Sequence, residues 1–160
     1  MFNDDAPSER ALTYEEQIAT AHRPTLVVAD DDAFMCMMLS SQLAQEFDCV
    51  ATASTAETAV EAVRTHRPDV AILDVVMPGG GAVATTRALR ECSPDTAIVI
   101  LSGDELDSEV VALLNAGASG YLRKGIEPAD LARSLNMAIA SRGSADARVA
   151  SASTQEAARD

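Results

Sequence analysis

Short runs of strand character recur along this chain at residues 26–29, 49–53, 71–74, 97–101 and 120–124, and the intervals between them carry apolar residues every three or four positions. Five strands alternating with five amphipathic helices demand a parallel sheet covered on both faces, because right-handed crossovers lay helices over each side. The fold class is α/β, doubly wound. In such sheets ligands sit beyond the carboxyl ends of the strands, close to where the strand order reverses. Any functional residues should gather there.

The run Ala71-Ile72-Leu73-Asp74 is closed by Pro78 and sets out the problem in miniature. A carboxylate on so apolar a strand costs free energy unless something pairs with it, so Asp74 belongs at the strand end or in a charged site. The first run, Leu26-Val27-Val28-Ala29, leads into Asp30-Asp31-Asp32, after which Met35, Leu39, Leu43 and Phe47 recur at every fourth position and predict a helix. Ser54 and Glu57 have the spacing of a capping box for a second helix, which buries Ala56, Ala59, Val60 and Val63. The glycines at 79, 80 and 81 form a turn into a helix carrying Val83 and Leu89 and stopped near Ser93-Pro94. They lack the lysine and spacing of a P-loop.

The fourth run ends in Ser102-Gly103, and Leu106, Val110, Leu113 and Leu114 mark one face of the helix that Gly117 terminates. Gly120 to Lys124 is the fifth strand. Pro128 opens the last helix, with Leu131, Leu135 and Ile139 along it. Residues 1–23 read as a polar extension with a short helical turn at Tyr14 to Ala19, residues 24–142 as the domain, and residues 143–160 as a disordered tail.

Composition narrows the function. Twenty-five acids against 12 bases give a net charge of −13, which argues against nucleic-acid binding or attachment to an anionic membrane surface and favours cations or basic protein surfaces. Cys36, Cys49 and Cys92 are odd in number and widely spaced, so they read as reduced thiols rather than a disulfide framework or a zinc site. No segment has the length and apolarity of a membrane span, and the first residues lack the pattern of a signal peptide, so the expected location is the cytoplasm. His22 and His66 lie in polar connections with no partner ligand at a useful spacing. Met35, Met37 and Met38 read as filler on the first helix.

The strand ends therefore bring together Asp30 and Asp31, Asp74, Ser102 and Lys124. Two unit charges about 4 Å apart repel by about 4 kcal/mol at an effective dielectric near 20, so three carboxylates call for a cation. Lys124 supplies one positive charge, and a hard divalent ion with oxygen ligands, Mg²⁺, supplies the rest. A carboxylate set between Mg²⁺, a hydroxyl and an ammonium is arranged to attack a phosphoryl group and hold the acyl phosphate. For Asp32 the plain role of helix N-cap suffices.

With those residues in view, the chain resembles the receiver domain of two-component response regulators, of the single-domain type. The likeness covers about Thr25 to Arg142. Asp30-Asp31 corresponds to the family's acidic pair, Asp74-Val75-Val76-Met77-Pro78 to its phosphoacceptor turn, Ser102 to its hydroxyl residue, Tyr121 to its switch aromatic and Lys124 to its lysine. The resemblance implies a flavodoxin-like (βα)5 fold with strand order 2-1-3-4-5. It also implies that Asp74 accepts a phosphoryl group from a sensor histidine kinase or a histidine phosphotransfer protein. Asp31 and Asp74 would bind Mg²⁺ directly, Asp30 through water, and the Val76 backbone carbonyl would be a further ligand. Ser102 and Lys124 would contact the phosphoryl oxygens, Gly103 would leave room beside them, and Ser102 with Tyr121 would carry the switch.

Two positions depart from the family pattern. Gly125 stands where a proline often follows the lysine, and Val76 is apolar where a polar side chain can orient attacking water, which predicts a long-lived phosphoryl group. A Mg²⁺-dependent phosphohydrolase would place a second acid at position 76, where this chain has valine. A pseudo-receiver that binds partners without phosphorylation would have no need of the full acidic pair, nucleophile, hydroxyl and lysine. The expected output is protein contact rather than enzymatic activity, with a downstream protein or with a second copy through the face of the fourth helix, fifth strand and fifth helix.

Overall fold

The computed structural model describes Thr13, residues 22–103 and residues 107–157. The strands are β1 (Thr25–Ala29), β2 (Asp48–Ala53), β3 (Val70–Asp74), β4 (Ala97–Ser102) and β5 (Gly120–Arg123). Between and after them come α1 (Ala33–Gln42), α2 (Ala56–His66), α3 (Ala82–Cys92), α4 (Asp107–Ala116) and α5 (Pro128–Ala157). The strands form one parallel sheet in the order β2-β1-β3-β4-β5. The chain leaves β1 for one edge and returns to its other side at β3, so the strand order reverses between β1 and β3.

Why the strands read as unbroken apolar runs follows from their two covered faces. Leu26, Val28, Val70, Ile72, Val99 and Leu101 point into a core closed by Leu39, Phe47, Leu131 and Leu135 from the α1 and α5 side. The alternate residues Val27, Ala71, Leu73, Ile98 and Ile100 point the other way, against Ala59 and Val63 of α2, Leu89 of α3 and Leu113 of α4. Both cores bury large side chains completely, and each fully buried aliphatic side chain contributes about 1.5–3 kcal/mol of transfer free energy.

Several local expectations shift. The apolar spacing through Phe47 suggested one continuous helix, yet α1 stops at Gln42. The residues beyond it turn, with the Phe47 amide donating to the Leu43 carbonyl at 2.8 Å. Leu43 and Phe47 stay buried because the turn keeps the helical spacing while redirecting the chain into β2. The cap of α2 lies one residue later than predicted. Thr55, not Ser54, accepts from the Thr58 amide, and the Thr58 hydroxyl accepts from the Thr55 amide, so Thr58 completes the box assigned to Glu57.

Leu114 is exposed while Leu113 is buried, so α4 presents a narrower face than its sequence suggests. The predicted turn at Tyr14 to Ala19 and the predicted face residue Leu106 lie outside the described residues. At the other end, α5 continues to Ala157, so residues 143–157 are helical where disorder was expected. That stretch contains no proline and is rich in alanine, the strongest helix former.

Candidate functional site

Four strand ends meet at the reversal point. β1 delivers Asp30, whose amide donates to the Ala53 carbonyl at 3.0 Å and so prolongs the pairing with β2 by one rung. Its side chain is only 2% exposed. One carboxylate oxygen accepts from the Asp32 amide at 2.9 Å, a local turn that aims the other oxygen across the sheet. Asp31 is exposed, and Asp32 caps α1 by accepting from the Phe34 amide at 2.9 Å.

β3 delivers Asp74, 5% exposed, and the Val76 amide donates to its Oδ1 over a long 3.4 Å. β4 ends on Ser102, also buried, whose carbonyl accepts from the Lys124 amide at 2.7 Å. That bond fixes where the lysine leaves the sheet. Its stem passes beside Gly103, where a Cβ would lie 3.8 Å from Lys124 Cδ. Its ammonium then reaches Asp30 Oδ2 at 2.9 Å and Asp74 Oδ2 at 3.3 Å.

Carboxylate oxygens of Asp30, Asp31 and Asp74 all lie within 4.8 Å of one another. Burial raises the proton affinity of Asp74 above the usual carboxylate range, and the charge of Asp30 raises it further. Lys124 and the Val76 amide oppose them without cancelling them. For Lys124, burial disfavours the ammonium, but hydrogen bonds and charge from Asp30 and Asp74 outweigh it and hold the group above its ordinary value. Three carboxylates against one ammonium leave a formal surplus of two negative charges. An all-oxygen donor set with that surplus fits a hard divalent cation.

The remaining expected residues fall around this centre. Val76 is 64% exposed, so its apolar side chain stands at the open rim. Tyr121 pairs with Ile100, two rungs below Ser102, and packs half-buried against the core under α2, α3 and α4. Gly125 adopts φ +91°, a left-handed turn that the glycine permits directly after Lys124. His22 and His66 are both exposed and away from the carboxylates.

One participant was not foreseen. The Cys36 thiol, buried beneath the acidic pair, donates to the Asp30 carbonyl at 3.4 Å and packs α1 under the loop. Burial pushes its pKa up, as befits a packing thiol rather than a nucleophile. Its place six residues after Asp30, on the inward side of the first helical turn, was the available signal.

Comparison with known proteins places the chain in a family. The family model for the response regulator receiver domain matches residues 26–136. The nitrate/nitrite response regulator protein NarL of Escherichia coli strain K12 is 36% identical over 120 residues, covering 73% of this chain and 56% of that protein. The DNA-binding transcriptional activator DevR/DosR of Mycobacterium tuberculosis is 37% identical over 107 residues, 67% of this chain and 49% of that one. The chain thus spans about half the length of the curated relatives it matches. Among solved structures, the signal receiver domain of NarL from Mycobacterium tuberculosis superposes with a TM-score of 0.69 at 27% identity, covering 73% of this chain and 97% of that one. A CheY-like receiver domain protein from Methanospirillum hungatei shares the fold, with a TM-score of 0.71 at 18% identity over 77% of this chain and 98% of that one. Matched along most of its length, and with the acids, hydroxyl and lysine at the ends of its strands, this chain belongs to the response regulator receiver domain family.

Proposed function

We propose that the chain is a phosphorylation-dependent switch in which Asp74 accepts a phosphoryl group from a phosphohistidine of a sensor kinase or phosphotransfer protein. The observation that supports it is the buried Asp74 carboxylate held 3.3 Å from the Lys124 ammonium within an acidic cluster otherwise short of positive charge. In the reaction an Asp74 oxygen forms a bond to phosphorus as the bond from phosphorus to the imidazole nitrogen breaks, and that nitrogen leaves with the electron pair. Mg²⁺, held by Asp31, Asp74 and the Val76 carbonyl and through water by Asp30, would neutralise phosphoryl oxygens. Lys124 contributes a fixed positive charge beside them, and Ser102 a hydroxyl donor at the neighbouring strand end.

Phosphorylation alters what this corner of the domain holds. New oxygens beside Ser102 draw its hydroxyl toward them, and Tyr121, already packed over the α4 side of the sheet, moves inward in response. The readout is the face of α4, β5 and α5, where Val111, Leu114 and Met137 are exposed. Its partner is a downstream protein or a second copy. A charge of −13 favours protein contact over nucleic acid as the direct output of this chain. Among the described residues no helix is long and apolar enough to cross a membrane. Position 76 offers valine rather than an acid to drive hydrolysis, which disfavours a phosphohydrolase.

The test is incubation with Mg²⁺ and acetyl phosphate, followed by intact mass. Wild type should gain one phosphoryl group, and Asp74→Asn should gain none. Equal labelling of the two would sink the proposal.

A further inference from the structure

Arg90 lies half-buried in the last turn of α3, at the end of the sheet opposite the acidic cluster. One guanidinium nitrogen donates to the Pro94 carbonyl at 2.7 Å and the Thr96 carbonyl at 3.2 Å, in the turn that leads into β4. The other terminal nitrogen donates to the Gly117 carbonyl, in the turn that leads into β5. A planar, permanently charged fork suits such a bridge between two turns. Gly117 makes room for it: its φ of +116° is open to glycine, and a Cβ there would stand 2.9 Å from Arg90 Nε.

The two turns differ in how firmly they are held. Thr96 is fully buried, and its hydroxyl donates to the Pro68 carbonyl at 2.7 Å, which ties the β4 turn to the approach to β3. β5 has only four residues, pairs with β4 alone at the edge of the sheet, and buries none of its side chains completely. At its start the Ser119 amide donates to the Ile98 carbonyl at 2.7 Å, and the Ser119 hydroxyl accepts from the Ile98 amide at 3.2 Å. At about 3.3 Å per residue, the strand carries any displacement of its start over about 13 Å from Gly120 to Lys124. There the ammonium must stay 2.9 Å from Asp30 and 3.3 Å from Asp74.

We propose that Arg90 is a positioning residue for the candidate site: by pinning the entry of β5 to the entry of β4, it holds Lys124, at the far end of β5, between Asp30 and Asp74. It touches none of the acids and acts through the strand. Its bearing on phosphoryl transfer rests on the reading of Asp74 as the acceptor, whereas its hold on the ammonium does not.

Lys124 is the only lysine in the chain, so the full chain labelled with ¹³C-lysine gives one ε-methylene NMR signal, which reports the surroundings of that ammonium. In metal-free buffer Arg90→Met should move this signal by more than its line width, and Arg90→Gln, which keeps a neutral donor, should move it less in the same direction. Thr55→Ala, which weakens the cap of α2 without touching β4 or β5, should leave it in place. With Mg²⁺ and acetyl phosphate, Arg90→Met should also gain its phosphoryl group about tenfold more slowly than wild type. Should Arg90→Met fail to fold, Arg90→Gln carries the test. The proposal is overturned if the lysine signal holds in the Arg90 variants, if Thr55→Ala moves it equally, which would reduce the effect to lost stability, or if labelling keeps its wild-type rate while the signal moves. If wild type takes no label, the switch reading falls, and the lysine signal still decides whether Arg90 holds the ammonium.

Discussion

At Lys124 one ammonium is shared between two buried carboxylates, at 2.9 Å from Asp30 and 3.3 Å from Asp74. Lys124→Met would leave both acids without that partner. Removing one member of a fully buried pair costs 3–5 kcal/mol, and with the lysine side chain a quarter exposed the expected loss is about 2 kcal/mol in metal-free buffer, read by urea denaturation. Added Mg²⁺ should recover more stability in the variant than in wild type, because it supplies the missing positive charge. The sign with pH follows from the raised proton affinity of Lys124. Its contribution is fully present below the ordinary lysine value of 10.5 and is lost as pH climbs through the higher folded value. Val76 makes a second residue-scale case. Its exposed apolar side chain at the rim offers nothing to orient water, so the phosphoryl group should persist for minutes or longer in purified protein, and loss within seconds would contradict that reading.

Among the elements, α2 offers the sharpest test of local sequence logic. Thr55→Ala should cost about 1 kcal/mol by removing the N-cap, whereas Ser54→Ala should change the unfolding midpoint little, although the two residues are neighbours with equivalent capping chemistry. Sequence could not choose between them, because Ser54 with Glu57 and Thr55 with Thr58 both satisfy a three-residue spacing. What decides is where β2 ends, at Ala53, and the bond from the Ala56 amide to the Pro78 carbonyl at 2.9 Å that anchors the first turn. The strands were legible for the opposite reason: residues such as Val27 and Val28 are buried on opposite faces, so the whole run must be apolar. The end of α1 was hidden because Leu43 and Phe47 keep helical spacing in a turn. Asp30, Asp74 and Lys124 were readable as strand-end charges, while Cys36, a thiol bonding to a backbone carbonyl, carried no chemical motif to mark it.

On the scale of the whole molecule, a doubly wound sheet places every charged strand end on one edge and leaves the exposed apolar residues of α4 and α5 on a flank. In the proposed switch, acceptance of a phosphoryl group and its readout occupy separate surfaces joined by β4 and β5, whose register sets Tyr121 beside Ile100, two rungs below Ser102. The proposed switch makes one carboxylate the entry point for the whole response, in a chain with 25 acidic residues. Burial and the Lys124 ammonium set Asp30 and Asp74 apart from the other acids, and the proposed reaction falls to Asp74 of the two. The direct measurement is to label the protein with acetyl phosphate and Mg²⁺, reduce the acyl phosphate with borohydride, and map the product by peptide mass spectrometry. Homoserine should appear at position 74 alone and vanish when Mg²⁺ is chelated before labelling; reduction at another acid, or labelling indifferent to Mg²⁺, would contradict the assignment of Asp74.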